Sequence, residues 1–233
     1  MLDIETLTTA TNHNGGAIHF CPGGNLLIAV GDNANASNAQ TQSNLKGKIL
    51  RIRKDGSIPP QNPFYNTASG NNKSILILGL RNPYSFAIQD QGRLYINDVG
   101  QNTWEEINQG VAGANYGWPY YEGYESDSLY RSPIYAYMHG SGNTQGCAIT
   151  GAAFYNPVTV KFPSSYIDDY FFGDFCNGWI RGYDISSNST YLFATGLSLL
   201  TDIQVDQNGA LYYLERVGSP GAGRVTKVTY TGG

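Results

Sequence analysis

Three groups of residues in this chain have types and spacing that could do chemistry. His13 stands before the Gly15-Gly16 entry to an apolar run, and Asp32 follows the next apolar run. An imidazole is the usual general base near neutral pH, and a carboxylate beside it favours the imidazolium that forms when it accepts a proton. Taken singly, a His before Gly-Gly is more often a loop cap. Arg81 and Asn82 precede Pro83 and a further apolar run, and a guanidinium suits an anionic oxygen. Asp98-Val99-Gly100-Gln101 reads as a tight glycine turn, followed by Glu105-Glu106 and then Asn115-Tyr116-Gly117. Paired carboxylates, turn carbonyls and a nearby Tyr suit a hard, oxygen-preferring cation such as calcium. A polar loop with a surface Glu pair is the competing reading of the same residues.

These residues are far apart in sequence, so a repeating framework must bring them together. The segment Phe20-Cys-Pro-Gly-Gly24-Asn-Leu26-Leu-Ile28 matches Ile88-Gln-Asp-Gln-Gly92-Arg-Leu94-Tyr-Ile96, and both match Val205-Asp-Gln-Asn-Gly209-Ala-Leu211-Tyr-Tyr213. Each reads as strand, polar turn closed by Gly, second strand: a hairpin. The interval from Gly92 to Gly209 is nearly twice that from Gly24 to Gly92. A degenerate copy fills it, with Ile149–Asn156, an insertion around Pro163, and Tyr170–Phe172. The chain therefore reads as four units with later strands: Lys48–Arg53 and Ser74–Leu78 as outer strands of the first and entry to the second, Ile180–Asp184 and Tyr191–Ala194 in the third, and Arg224–Tyr230 closing the fourth. Repeats of several strands each predict an all-β fold of β-propeller type in one domain over 1–233, with a β-sandwich as the alternative. In a propeller the first strands of the units start near a central channel, so His13, Asp32, Arg81 and Asn82 converge at one face. Polar loops at Asn33–Asn44 and Asn62–Asn72 lie where sites are built on such a framework.

Composition agrees. Charged residues make up only 14% of the chain, while Gly (29) and Tyr (18) are abundant, which favours short strands and tight turns over helices. A net charge of −4 argues against an electrostatic nucleic-acid binder. No apolar run is long enough to span a membrane, and residues 1–15 do not read as a signal peptide. Of the three Cys, Cys147 and Cys176 sit in similar surroundings, each near a Gly and next to a strand, and are expected to pair, leaving Cys21 free. A disulfide points to an oxidising compartment.

The ordered series Asn12-His13-Asn14-Gly15-Gly16-Ala17, Gly31-Asp32, Leu45 to Ile52, Asp55-Gly56-Ser57-Ile58-Pro59, Asn62-Pro63-Phe64, Gly79-Leu80-Arg81-Asn82-Pro83, Asp98-Val99-Gly100-Gln101, Glu105-Glu106-Ile107-Asn108 and Asn115-Tyr116-Gly117-Trp118-Pro119 resembles the soluble glucose/sorbosone dehydrogenase family over nearly the whole chain. That resemblance implies a six-bladed propeller using pyrroloquinoline quinone (PQQ) and calcium to oxidise an aldose at C1 to the lactone. About four blades would lie in this chain and the earlier ones before residue 1, Leu2–Thr8 reading as the last strand of one of them. It implies His13 as general base, Asp32 as its supporting carboxylate, and Arg81 and Asn82 facing the quinone and its substrate. It further implies Gly100 and Gln101 as carbonyl ligands of the calcium that holds PQQ, and Glu106 and Tyr116 as ligands of a second, structural calcium. PQQ-binding relatives place basic residues near the turn that here reads Cys176-Asn177-Gly178; Arg181 is offered for that role and Trp179 for stacking on a flat ring, with core packing as the alternative for Trp179. The implied partners are a sugar and an external electron acceptor, and the implied location is extracellular or periplasmic. A non-catalytic propeller that binds carbohydrate or protein through the same face, and a purely structural fragment, are the readings from other classes.

Overall fold

A computed structural model describes residues 2–218 and 221–232. By its internal contacts the chain divides into two compact units, Met1–Ala136 and Tyr137–Gly233. Among the described residues the regular structure is four antiparallel sheets with short 3-10 turns between strands, so the fold is all-β and of propeller-blade type.

In the first unit, β1 (Ile18–Phe20), β2 (Asn25–Val30), β3 (Lys48–Arg53) and β4 (Ile75–Leu78) form one sheet in sequence order. The second sheet is β5 (Pro83–Ile88), β6 (Leu94–Asp98), β7 (Trp104–Gln109) and β8 (Tyr135–Met138), the chain leaving the first unit within β8. The repeated hairpins are present as read. Gly24 and Gly92 close the β1–β2 and β5–β6 turns at φ +76° and +86°, a conformation that a side chain would strain. Leu27, Ala29, Ile49, Ile77, Phe86 and Ile96 face inward from these strands and form a buried cluster, joined by Tyr116. β4 and β6 are buried at every position, so packing on both faces holds the strand ends at the site in place.

The second unit holds β9 (Ile149–Phe154), β10 (Tyr170–Asp174), β11 (Trp179–Asp184) and β12 (Ser189–Ala194) in the order β12-β11-β10-β9, and the three-stranded sheet β13 (Leu200–Val205), β14 (Leu211–Arg216) and β15 (Gly223–Val228). Its core is aromatic, with Tyr155 stacked on Phe162 at 4.8 Å and Phe171 against Phe193 at 4.9 Å between ring centroids. Cys147 and Cys176 are disulfide-bonded with Cα atoms 5.7 Å apart, and Cys21 is free. One buried carboxylate organises the bridge: Asp174 accepts from Cys147 N through Oδ2 and from Cys176 N through Oδ1, both at 2.9 Å.

Two expectations need correction. Leu2–Thr8 is not a strand; this segment is held by irregular contacts instead, Lys46 Nζ donating to Thr6 O at 2.9 Å and Leu45 N to Glu5 Oε2 at 3.1 Å. Glu105-Glu106 is not a surface pair in a loop. Both residues lie in β7 and are buried.

Candidate active site

The entries to β1 and β5 and the exits from β2 and β6 meet at one end of the first unit. Backbone bonds lace them together: Asp32 N donates to Arg81 O at 2.8 Å, Val99 N to Asn82 O at 3.1 Å, and Asn33 N to His13 O at 2.9 Å. Between them opens a cleft of about 460 Å³ lined by Asn12, His13, Asn14, Arg81, Asn82, Tyr84, Val99 and Gly100 among others.

His13 adopts φ +54°, a left-handed conformation that costs a non-glycine residue energy and recurs at functional positions. Its carbonyl packs directly on Gly31, where any Cβ would overlap it, so Gly31 is required for the approach. The imidazole Nδ1 lies 2.8 Å from Asp32 Oδ1. His13 is 15% exposed by side chain and Asp32 only 1%. Because the carboxylate can only accept, Nδ1 carries the proton and Nε2 is left as the basic nitrogen. Asp32 also accepts from Ala34 N at 2.8 Å and from the indole Nε1 of Trp118 at 2.9 Å.

Asp98 fixes the Arg81-Asn82 pair. Its Oδ2 accepts Arg81 N at 2.9 Å and its Oδ1 accepts Asn82 N at 2.7 Å. Asn82 Oδ1 in turn accepts Gly15 N at 3.1 Å, tying the β5 entry to the β1 entry. Arg81 donates one terminal nitrogen to Val99 O at 2.8 Å, and its guanidinium carbon lies 5.5 Å from the centroid of the Trp118 ring. Its Nε is buried without a hydrogen-bond partner.

Beside Arg81 is a small cavity of about 10 Å³ lined by Asp98, Gly100, Glu106, Tyr116, Trp118 and Glu122 among others, room for one water-sized species. Asp98 and Glu106 are directly paired across β6 and β7. Burial pushes the Asp98 carboxyl up to about 7, and burial together with the Asp98 charge pushes Glu106 up to about 8. Glu106 accepts from Gly123 N at 2.6 Å and Asn108 Nδ2 at 3.0 Å. The Tyr116 hydroxyl donates to Gln109 O, and burial pushes it up to about 12. The Gly100-Gln101 turn is held by Glu122, whose Oε1 accepts from the backbone N–H groups of Gln101, Asn102, Thr103 and Trp104 at 2.7 to 3.2 Å. Among the described residues no group of three or more His, Cys, Asp and Glu side chains is placed to hold a metal ion.

The first unit thus brings together His13, Asp32, Arg81, Asn82 and Gly100 around the cleft, with Glu106 and Tyr116 at the cavity beside Arg81. Trp179 and Arg181 lie in the second unit. Trp179 is wholly buried, donates Nε1 to Gln145 O at 2.9 Å and packs against Tyr137 and Phe172, so its ring has no open face for stacking. Arg181 is buried too, donating to Asn143 O and to Thr190 Oγ1, each at 2.8 Å. Core packing accounts for Trp179, while the terminal nitrogens of Arg181 are engaged within the second unit and its Nε, like that of Arg81, is buried without a hydrogen-bond partner. Sequence reasoning missed Asp98, Trp118 and Glu122 as side chains that position the site. Asp98 and Trp118 lie inside segments already singled out by their spacing, while Glu122 carries no local signal.

A profile described as Glucose / Sorbosone dehydrogenase matches residues 2–222. The chain belongs to the glucose/sorbosone dehydrogenase family. Within that family it is similar to the aldose sugar dehydrogenase YliI of Escherichia coli K12, 31% identical over 216 residues, which cover 87% of this chain and 57% of the relative. It is similar also to quinoprotein glucose dehydrogenase B of Acinetobacter calcoaceticus, 34% identical over 152 residues, 57% of this chain and 31% of that protein. The solved PQQ-bound aldose sugar dehydrogenase of Streptomyces coelicolor shares the fold, with a TM-score of 0.77 at 24% identity over 95% of this chain and 63% of that one. The chain thus spans about half, or less, of the length of these curated glucose/sorbosone dehydrogenase relatives.

Proposed function

We propose that the first unit carries the site of a PQQ- and calcium-dependent oxidation of an aldose at C1 to the lactone. The observation that carries the reading is the buried-carboxylate–imidazole pair, Asp32 and His13, opening into the same cleft as Arg81. PQQ fits this cleft by chemistry: it is an anion, and Arg81 offers a cation with a buried, unpartnered Nε. Calcium fits the cavity beside Arg81. Two adjoining buried carboxylates pushed up by burial are the donor set that a divalent cation relieves. Arg81 and Asn82 would hold the quinone, the carbonyls of Gly100 and Gln101 the calcium beside it, and Glu106 with the Tyr116 segment the structural calcium.

When bound, PQQ supplies the two-electron acceptor and calcium polarises it. The chain's own part is acid–base and electrostatic. His13 Nε2 takes the proton of the sugar C1 hydroxyl while hydride leaves the same carbon. Asp32 stabilises the imidazolium that results. Arg81 stabilises negative charge that develops across the cleft. Turnover would also need an external electron acceptor. The disulfide and the family resemblance support an extracellular or periplasmic location, and among the described residues no helix is long and apolar enough to cross a membrane. The test is reconstitution with PQQ and calcium followed by an aldose screen with a reducible dye. Dye reduction with stoichiometric lactone is expected. Tight quinone binding with no reduction by any aldose would overturn the enzymatic reading in favour of a binding module.

A further inference from the structure

Asp32 is surrounded by donors: His13 Nδ1 and Ala34 N at Oδ1, both at 2.8 Å, and Trp118 Nε1 at Oδ2, at 2.9 Å. At 1% exposure, water cannot replace a lost donor. The indole is itself anchored, Trp118 N donating to Gly79 O at 3.0 Å and Gln40 Nε2 donating to Trp118 O at 2.6 Å. Its ring lies against the Arg81 guanidinium at 5.5 Å. One side chain therefore touches both arms of the site, its N–H the carboxylate and its face the arginine. An indole is a donor with no acceptor and a flat electron-rich face, so it can make both contacts at once.

We propose that Trp118 is a positioning residue: its N–H locks the Asp32 carboxylate with Oδ1 toward His13 Nδ1, which keeps Nε2 the basic nitrogen, and its ring sets the place of Arg81. The inference rests on reading His13 as the base. The other charged groups around this pair are Arg81 in the cleft, Asp98 under the Arg81 backbone, and Lys48, which feels the Asp32 charge.

Nitrogen-15 NMR of the cofactor-free full chain tests this, with three His and three Trp to assign. In the wild type the Trp118 indole N–H should titrate with the midpoint of His13, and in His13→Gln that inflection should vanish. In Trp118→Phe, which keeps a ring but loses the N–H, the neutral His13 ring should lose its preference for the proton on Nδ1, so its two ring-nitrogen shifts should move toward each other. An indole resonance that stays flat through the His13 titration overturns the proposal. So does an inflection that survives His13→Gln, which would belong to Asp98 or Lys48, or unmoved His13 ring-nitrogen shifts in a folded Trp118→Phe. If Trp118→Phe does not fold, the wild-type and His13→Gln spectra decide alone. None of these readouts needs quinone or sugar, so they can fail while the proposed activity stands. Conversely, absence of sugar oxidation would remove the activity and leave the network intact.

Discussion

At the scale of single residues, His13 and Asp32 were legible because each sits beside a hairpin strand, and antiparallel pairing brings the start of one strand beside the end of the next. The pair lies at 2.8 Å for that reason. Asp32→Asn should lower kcat by about 10²–10⁴-fold, because an amide can donate to Nδ1 and favour the tautomer that places the proton on Nε2. A pre-steady-state measurement of sugar oxidation checks this, and an Asp32→Asn protein with an unchanged rate would contradict it. Glu106 was legible by type but not by environment. A Glu-Glu pair reads as surface, and only the pairing of β7 with β6 shows that Glu106 faces Asp98 in a buried cavity. Calcium should therefore raise the melting temperature of the wild type, chelator should reverse that gain, and Glu106→Gln should lose most of it by mass action. Equal melting of both proteins with and without calcium would remove the structural-calcium reading.

At the scale of elements, the strands with hairpin glycines or β-branched runs were legible, whereas β7 and β8 were not. β7 reads Trp-Glu-Glu-Ile-Asn-Gln, a polar string whose Glu105, Glu106 and Asn108 are nevertheless buried. Tertiary pairing overrides local propensity there. β3 hides a similar surprise. Lys48 is fully buried, its ammonium donating to the carbonyls of Asn38, Ala39 and Lys46 at 2.7, 3.0 and 2.6 Å, and so it anchors the loop that carries Gln40 to Trp118. Burial pulls Lys48 down from 10.5 to about 7. Between about 7 and 10.5 the folded chain then binds fewer protons than the unfolded one, so this residue's contribution to stability rises with pH across that window and is lost as pH falls toward 7. Denaturant melts should show the wild type gaining on Lys48→Met from pH 7 upward; parallel pH profiles would contradict a Lys48 pulled down by burial. The Cys147–Cys176 bridge belongs to the same scale. Its closed loop spans a sequence separation of 29, and opening it with Cys147→Ala and Cys176→Ala should cost roughly 3–4 kcal/mol of stability in the second unit. Near-identical denaturation of the oxidised wild type and the double variant would count against that assignment.

At the scale of the whole molecule, the repeat of one hairpin at matching intervals was enough to read four multi-stranded sheets, because a sheet of this kind is a local unit of the chain. Cofactor contacts in the later part of the chain were not readable in the same way. The Cys176-Asn177-Gly178 turn marks a place in the repeat, but every residue from Trp179 to Tyr183 is buried, so alternation along β11 does not tell which of its side chains a ligand would reach. The catalytic claim therefore rests on the first unit alone: an imidazole set by a buried carboxylate, an arginine across the cleft, and two buried acids beside it. It is tested most directly by loading the wild type and His13→Gln with PQQ and calcium and measuring the single-turnover rate of quinone reduction by an aldose. The account predicts that both proteins bind the quinone, that the wild type reduces it, and that His13→Gln does so about 10²–10⁴-fold more slowly. A fully loaded His13→Gln protein with the wild-type rate would contradict it.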